Sequence, residues 1–322
     1  MKHVFLDDNY DQGHILMYDI ENHPDCHVIF KDRLHHNAIV NAFLCSHIIG
    51  KIKRHIRMPF RRMAYKFILR PYCDEHTQTI TMTTGWYCNK LVNFIKKHYP
   101  HVKMVLLIRD TVQDNTRRNK EFQIEKVKEL FDLIMSYDKM HDVPVYGLTF
   151  VPVYISKTHE LDLNAIADKY DVAFIGASKD RLSIIHRIYQ NCTAHGLKSF
   201  FYIFRVKKSD RLPGSIVYSN RYLDRLLFLQ RELESNCILE ILKGDAHSNT
   251  TRFWEAVIDN KKFYTNWKGI VDSPYYHPGY IKVFDDPDDL DYDFIKERID
   301  IDYHYQGELS PLKYLELYDK VL

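Results

Sequence analysis

Residues 237–258 constrain the fold most. Cys237-Ile238-Leu239-Glu240-Ile241 is a short, mostly apolar run of strand type. Ala256-Val257-Ile258 continues a helical pattern, and between the two stand Gly244, Ser248, Asn249 and Thr250. The order is strand, loop with glycine and hydroxyl side chains, helix. A helix N-terminus has unpaired N–H groups and a partial positive charge, which suit an anion such as phosphate. Ser248, Asn249 and Thr250 are all good N-cap types. Arg252 and Glu255 are three apart and share a helix face near that end. An arginine fork grips a phosphate, and a carboxylate accepts both hydroxyls of a ribose. The stretch therefore has the chemistry to hold a nucleoside diphosphate. It equally fits an ordinary capped helix with an ion pair.

The same alternation runs through the chain. Val4–Leu6, His27–Phe30, Thr79–Thr84, Val102–Ile108 and Leu133–Ser136 read as strands, with helices over 37–57, 88–99 and 124–131. Asp7 to Gly13 reads as a polar loop, and Asp142–Val145 as a turn or extended piece. The polar stretch from Tyr154 to Asp168 is expected to link two domains, 1–155 and 156–322. In the second, Val172–Ile175, Phe200–Phe204, Cys237–Ile241, Lys262–Asn266 and Tyr280–Phe284 read as strands. Helices are expected from Leu182 to His195 and from Tyr222 to Glu234, the latter with Leu223, Leu226, Leu227 and Leu233 facing the core. Leu312–Leu322 is a closing helix. Strands alternating with helices imply a parallel α/β sheet.

From Lys51 to Arg70 there are eight Lys/Arg and no acid. Lys53, Arg54, Arg57, Arg61 and Arg62 are interleaved with Ile56, Met58, Phe60 and Met63. Such a patch can lie on an anionic membrane surface, bind nucleic acid, or be the solvated face of a core helix. Peripheral membrane contact is carried forward, and a nucleic-acid partner is not expected. The N-terminus has no signal-peptide apolar region, and no stretch is apolar for long enough to span a bilayer. The six cysteines are scattered without a Cys-x-x-Cys pair, as for thiols in a reducing cytoplasm. Cytoplasmic placement follows as the expectation. The acidic run Asp288 to Asp293 reads as a solvated loop, and no metal site is expected.

Gly176 follows the Val172–Ile175 strand and precedes a helix, with Lys179 and Arg181 behind it. A glycine there lets backbone and ligand come close. With the 244–252 loop at the end of another strand of the same sheet, it could hold one diphosphate.

At these residues the chain resembles a known family. Asp171-Val172-Ala173-Phe174-Ile175-Gly176 with Arg181, and Cys237–Ile241 with Gly244 and Thr250-x-Arg252-x-x-Glu255-Ala256, are similar to segments of GT-B glycosyltransferases. The resemblance is to bacterial enzymes of capsule and lipopolysaccharide biosynthesis and the spore-maturation glycosyltransferase-like group. Phe131–Asp138 is similar to the segment before the interdomain crossing. The family has an α/β fold of two Rossmann-like domains with a cleft between them, an acceptor-side domain first and a nucleotide-sugar-binding domain second.

The resemblance implies transfer of a sugar from a nucleotide-sugar donor to a glycan or lipid-linked acceptor, with no bound metal and no cofactor. Carried over, Glu255 binds the ribose and Arg252 a phosphate. Gly176 makes room for the diphosphate, and Thr250 donates to it. Gly244, His247 and Arg181 complete the donor side. The chain departs from the family at Asp245-Ala246-His247-Ser248-Asn249, where relatives are richer in glycine and apolar residues. A catalytic base is expected from the first domain, past a strand's carboxyl end, with Asp8 and His14 as candidates. The altered loop motivates a second expectation, a catalytically silent GT-B-like scaffold of a glycan-assembly complex.

Overall fold

Apolar residues at successive positions bury both faces of a strand, and the central strands here are built that way. The computed structural model describes residues 2–8, 10–36, 60–162, 165–242 and 250–322. Two compact units divide the chain. Unit 1 comprises Met1–Ser156 with Leu309–Leu322, and unit 2 comprises Lys157–Glu308.

In unit 1 the strands are His3–Asp7 (β1), Cys26–Phe30 (β2), Thr79–Thr83 (β3), Lys103–Ile108 (β4), Leu133–Ser136 (β5) and Thr149–Phe150 (β6). They form one sheet in the order β2-β1-β3-β4-β5-β6, every pair parallel. Val4, Leu6, Ile80, Met82, Met104 and Leu106 bury one face, against Ile68, Leu91 and Ile95 from helices. Phe5, Val28, Val105, Leu107 and Met135 bury the other. The period of two along each strand decides which face each side chain meets.

The sequence counts the closing helix, Lys313–Val321, with the second domain while leaving it free to pack back across both halves, and it packs in unit 1. The cause lies in two tyrosines. The Tyr314 and Tyr318 rings each lie 6.4 Å from Phe5. The Tyr318 hydroxyl sits 2.8 Å from that of Thr81 on β3.

In unit 2 the strands are Tyr170–Ala177 (β7), Ser199–Phe204 (β8), Val217–Ser219 (β9), Ser235–Glu240 (β10), Lys262–Thr265 (β11) and Ile281–Val283 (β12). Their order is β12-β11-β10-β7-β8-β9, again all parallel. Val172, Phe174, Phe201, Ile203, Cys237 and Leu239 face the helix Leu182–Ala194 through Ile185, Ile188 and Cys192. Phe253 of the helix Thr251–Ile258 packs against Phe263, the rings tilted by 57° with 5.5 Å between centroids.

Several local expectations differ from the structure. The polar stretch after β1 folds from Tyr10 into the helix Tyr10–Leu16. Gly13 permits it, because a Cβ there would stand 2.4 Å from the Phe30 ring. Asp142–Tyr146 is a short helix rather than an extended piece. Pro144 is tolerated in a first turn, and Gly147 closes the helix at φ 65°. The helix after β9 spans Arg225–Leu233, capped by Asp224, and buries Leu229, Glu232 and Leu233. Leu226 and Leu227 are half-buried, because a carboxylate takes part of the inward face. β6 and β9 are edge strands of two and three residues, too short to show in a pattern.

Candidate functional site

Parallel sheets place ligands at the carboxyl ends of their strands. Each unit carries a charged cluster there.

In unit 2 the cluster surrounds Gly176, near the end of β7. A Cβ at Gly176 would lie 3.1 Å from the Phe174 ring, 3.4 Å from Arg181 Nη2 and 3.6 Å from Arg252 Nη2. Gly176 and Arg181 are thus brought together with Arg252, which is far from both in sequence. Arg181 is buried. Its Nε and Nη2 donate to the Ala177 carbonyl at 3.3 Å, and its Nη1 donates to the Ile241 carbonyl beyond β10. Burial, with Arg252 adding repulsion, pushes the guanidinium of Arg181 down to about 10. Arg252 donates through Nη2 to the Ile175 carbonyl, and its Nε lies 3.3 Å from Glu232 Oε1.

Thr250 is the N-cap of the Thr251–Ile258 helix, its hydroxyl oxygen accepting from Arg252 N at 3.3 Å. The same hydroxyl donates to Glu240, whose other oxygen accepts from the Thr265 hydroxyl at 2.9 Å. The Thr250 proton is therefore already committed. Glu255 is 4% exposed and pairs with Arg225, which is 10% exposed. The structure thus turns Glu255 toward an internal partner, and a ribose would compete with Arg225 for it. Glu232 lies beneath, 2% exposed, with Oε2 buried and without a hydrogen-bond partner among the described residues. Burial pushes its carboxyl up to about 7 against the pull of Arg252 and Arg225.

Gly244 and His247 lie outside the described residues, as do Lys53, Arg54 and Arg57. Arg61 and Arg62 belong to the helix Phe60–Leu69, but their side chains also lie outside the described residues. No helix among the described residues is long and apolar enough to cross a membrane.

In unit 1 the cluster sits where β1, β3 and β4 end. Asp8 follows β1, half-buried, and accepts from the Thr83 hydroxyl at 2.8 Å. Burial raises its carboxyl above the usual range, opposed by that hydrogen bond and by Lys31 and Arg109. Asp7 is buried and receives both Nη atoms of Arg109 at 2.7 Å. The other base candidate, His14, is engaged differently. Its Nδ1 lies 2.5 Å from Glu21 Oε2, and its ring stacks on Tyr10 at 4.8 Å. Of the two, Asp8 faces a hydroxyl donor and His14 an acid.

Sequence reading passed over Arg109, Thr83, Gly85, Arg225, Glu232 and Glu240. Arg109 and Glu240 had a signal, since both stand at a strand's carboxyl end. Arg225 and Glu232 had none, because only folding brings them under Arg252. Asp138, His141 and Asp142 have ligand atoms within 4.8 Å of one another and could meet a metal. Asp142 instead accepts from Val112 N at 2.7 Å, and Asp138 from His141 N at 3.0 Å. These are contacts of a helix start.

No family model matches the chain, and no curated protein matches it. Solved structures do resemble it. One is an alpha-glucosyltransferase in complex with UDP and a 13-mer DNA containing an HMU base, at 12% identity and TM-score 0.57, covering 99% of this chain and 98% of that chain. Others are the spinosyn forosaminyltransferase SpnP (8% identity, 92% and 88% covered, TM-score 0.45) and Arabidopsis thaliana UGT89C1 with UDP-L-rhamnose (11%, 99% and 86%, TM-score 0.40). These neighbours are glycosyltransferases. The first likeness shows the fold, two Rossmann-like α/β domains of the GT-B class.

Proposed function

We propose that the chain is a glycosyltransferase that moves a sugar from a nucleotide-sugar donor to a glycan or lipid-linked acceptor, in surface polysaccharide synthesis. One observation carries the reading: two guanidiniums converge on a glycine at the carboxyl ends of β7 and β10. Arg181 donates to backbone carbonyls, with no carboxylate bonded to it among the described residues. A diphosphate would take the place of those weaker acceptors, and Gly176 has no side chain to keep it away. Two arginines also supply the charge that a leaving diphosphate needs, so the reaction is proposed to run without a metal.

In the proposed step the acceptor hydroxyl oxygen bonds to the anomeric carbon while the bond from that carbon to the diphosphate oxygen breaks. The electron pair leaves on the diphosphate. The hydroxyl proton passes to Asp8, the base we favour over His14. The basic run at 51–70 is proposed to rest on anionic lipid, and vesicle co-sedimentation lost on Arg57, Arg61 and Arg62→Glu is the expected result.

The test is thermal stability against UDP, GDP, CDP, dTDP and their sugars, repeated with Arg252→Ala. A ligand binding only the folded state stabilises by about 2.7 kcal/mol at a hundredfold excess over Kd. A shift with one nucleotide, lost in the variant, supports the donor site. Acceptors tried with that donor include DNA containing an HMU base, as bound by the alpha-glucosyltransferase. A silent GT-B-like scaffold is the second reading, favoured by Glu255 and Arg252 already holding internal partners. No shift with any nucleotide would select it.

A further inference from the structure

The peptide joining Asp7 to Asp8 is held at both of its polar atoms. Its carbonyl, from Asp7, accepts from Trp86 Nε1 at 2.6 Å. Its N–H, from Asp8, donates to Asp7 Oδ1 at 2.7 Å. That carboxylate is in turn fixed by the two-pronged grip of Arg109. A backbone pinned this way leaves Asp8 little freedom beyond its own side-chain torsions.

Those torsions are also constrained. The Thr83 hydroxyl reaches Asp8 Oδ2 at 2.8 Å. It lies farther, at 3.4 Å, from the Leu6 carbonyl, so its single proton favours the carboxylate. A Cβ at Gly85 would stand 2.0 Å from Asp8 Oδ1 and 2.3 Å from both Cγ and Oδ2. The carboxyl group therefore lies in the space that any other residue at 85 would fill. The Gly85 carbonyl is tied down by Lys31 Nζ at 2.5 Å, which fixes that floor. Among the described residues, Oδ1 is the Asp8 oxygen without a hydrogen-bond partner.

We infer that Thr83, Gly85 and the Asp7–Arg109 pair are positioning residues that hold the Asp8 carboxylate with one oxygen oriented and the other presented to a proton. The inference rests on the reading of Asp8 as the acceptor-activating base. It adds the parts that make an ordinary aspartate serve as one. Four elements supply the groups facing Asp8: Asp7 on β1, Lys31 after β2, Thr83 and Gly85 at the end of β3, and Arg109 after β4. Asp7 and burial favour the protonated carboxyl, whereas Thr83, Lys31 and Arg109 favour the carboxylate.

The experiment is a carboxyl carbon NMR titration of the full chain labelled at aspartate, with the Asp8 resonance assigned through Asp8→Asn. Thr83→Val keeps the volume of the side chain and removes the hydrogen bond. It is expected to move the Asp8 midpoint upward by about half a unit to one unit. Thr83→Ser keeps the donor and is expected to restore the wild-type midpoint, which a purely structural role for Thr83 would not require. Gly85→Ala is expected to shift the Asp8 resonance and midpoint by displacing the carboxylate. An Asp8 titration indistinguishable in wild type, Thr83→Val and Gly85→Ala overturns the inference. The base reading fails separately. Asp8→Asn protein that transfers sugar at the wild-type rate, from the donor selected by the stability panel, would sink it whatever the titrations show.

Discussion

In unit 1 the carboxyl end of β1 presents two carboxylates, Asp7 and Asp8, with Arg109 from the end of β4 beside them. In unit 2 the carboxyl ends of β7 and β10 present arginines with carboxylates beneath them. The sheets have the same strand count and the same parallel pairing. Sheet geometry therefore decides where charge is useful, and the residues at strand ends decide its sign. The depth of the charge also differs. Arg109 is 37% exposed, but Arg225 and its partner Glu255 are 10% and 4% exposed. A pair buried that deeply owes its geometry to mutual need, because either charge alone would be stranded in a medium of low dielectric.

The largest expected effect comes from breaking the deeper pair. Glu255→Ala leaves the Arg225 guanidinium without the acid it faces. Removing one partner of a buried pair costs about 3–5 kcal/mol. Replacing both, as Arg225→Met with Glu255→Leu, is expected to recover most of that loss, because neither charge then remains. In unit 1, Arg109→Met strands Asp7 less completely, since Asp8 N still donates to it. Its loss is expected to be smaller, about 1–3 kcal/mol. Urea unfolding measures all three. Equal losses in the two units, or a double variant as unstable as Glu255→Ala, would break the comparison.

The two glycines sharpen it next. Gly85→Ala places a methyl group within 2.3 Å of three Asp8 atoms, whereas Gly176→Ala meets neighbours no closer than 3.1 Å. Overpacking of the first kind costs about 1–3 kcal/mol. Gly176→Ala is expected to leave stability nearly unchanged and to weaken nucleotide binding in the thermal-shift panel. A Gly176→Ala protein that keeps its nucleotide shift would show that the glycine makes no room for the ligand.

Much of this architecture was legible before folding, and the reasons are local. β4 reads as a strand because Met104 to Ile108 is apolar at every position, as a central parallel strand must be. The helix Leu182–Ala194 reads equally well, because Gly196 at φ 67° ends it. Two of the residues proposed for the donor side stood out for the same kind of reason: Gly176 follows an apolar strand, and Arg252 follows a capping threonine. What could not be read is what those side chains bind inside the protein. Glu255 suggests a ribose from its spacing to Arg252, and only packing reveals that Arg225 occupies it. The placement of Lys313–Val321 was equally hidden. An amphipathic helix shows that it has an apolar face, but not which sheet that face will meet.

The smallest expected effect compares two aspartates lifted by burial. Asp259 caps the C-terminal end of the helix Thr251–Ile258, and its Oδ1 is buried without a hydrogen-bond partner among the described residues. Burial pushes its carboxyl up to about 6, although Lys157, Lys261 and Arg225 oppose the shift. An unfolded aspartate titrates near 3.9, so between about pH 4 and pH 6 the folded chain holds the extra proton. Stability then falls as pH rises through that window, and the loss is complete above it. Asparagine does not titrate. The advantage of Asp259→Asn is therefore expected to be absent near pH 4 and fully developed at pH 7. A shift of two units sets a ceiling of about 2.7 kcal/mol, and partial exposure brings the expected gain to about 1 kcal/mol. Asp8→Asn should gain with the same sign but less, because a hydroxyl, a lysine and an arginine already support the charged form of Asp8. Urea midpoints at pH 4.5 and pH 7 separate the two. A larger gain for Asp8→Asn would mean that the unit 1 carboxylate is the less supported of the pair, and the contrast between a tuned site and a stranded charge would have to be reversed.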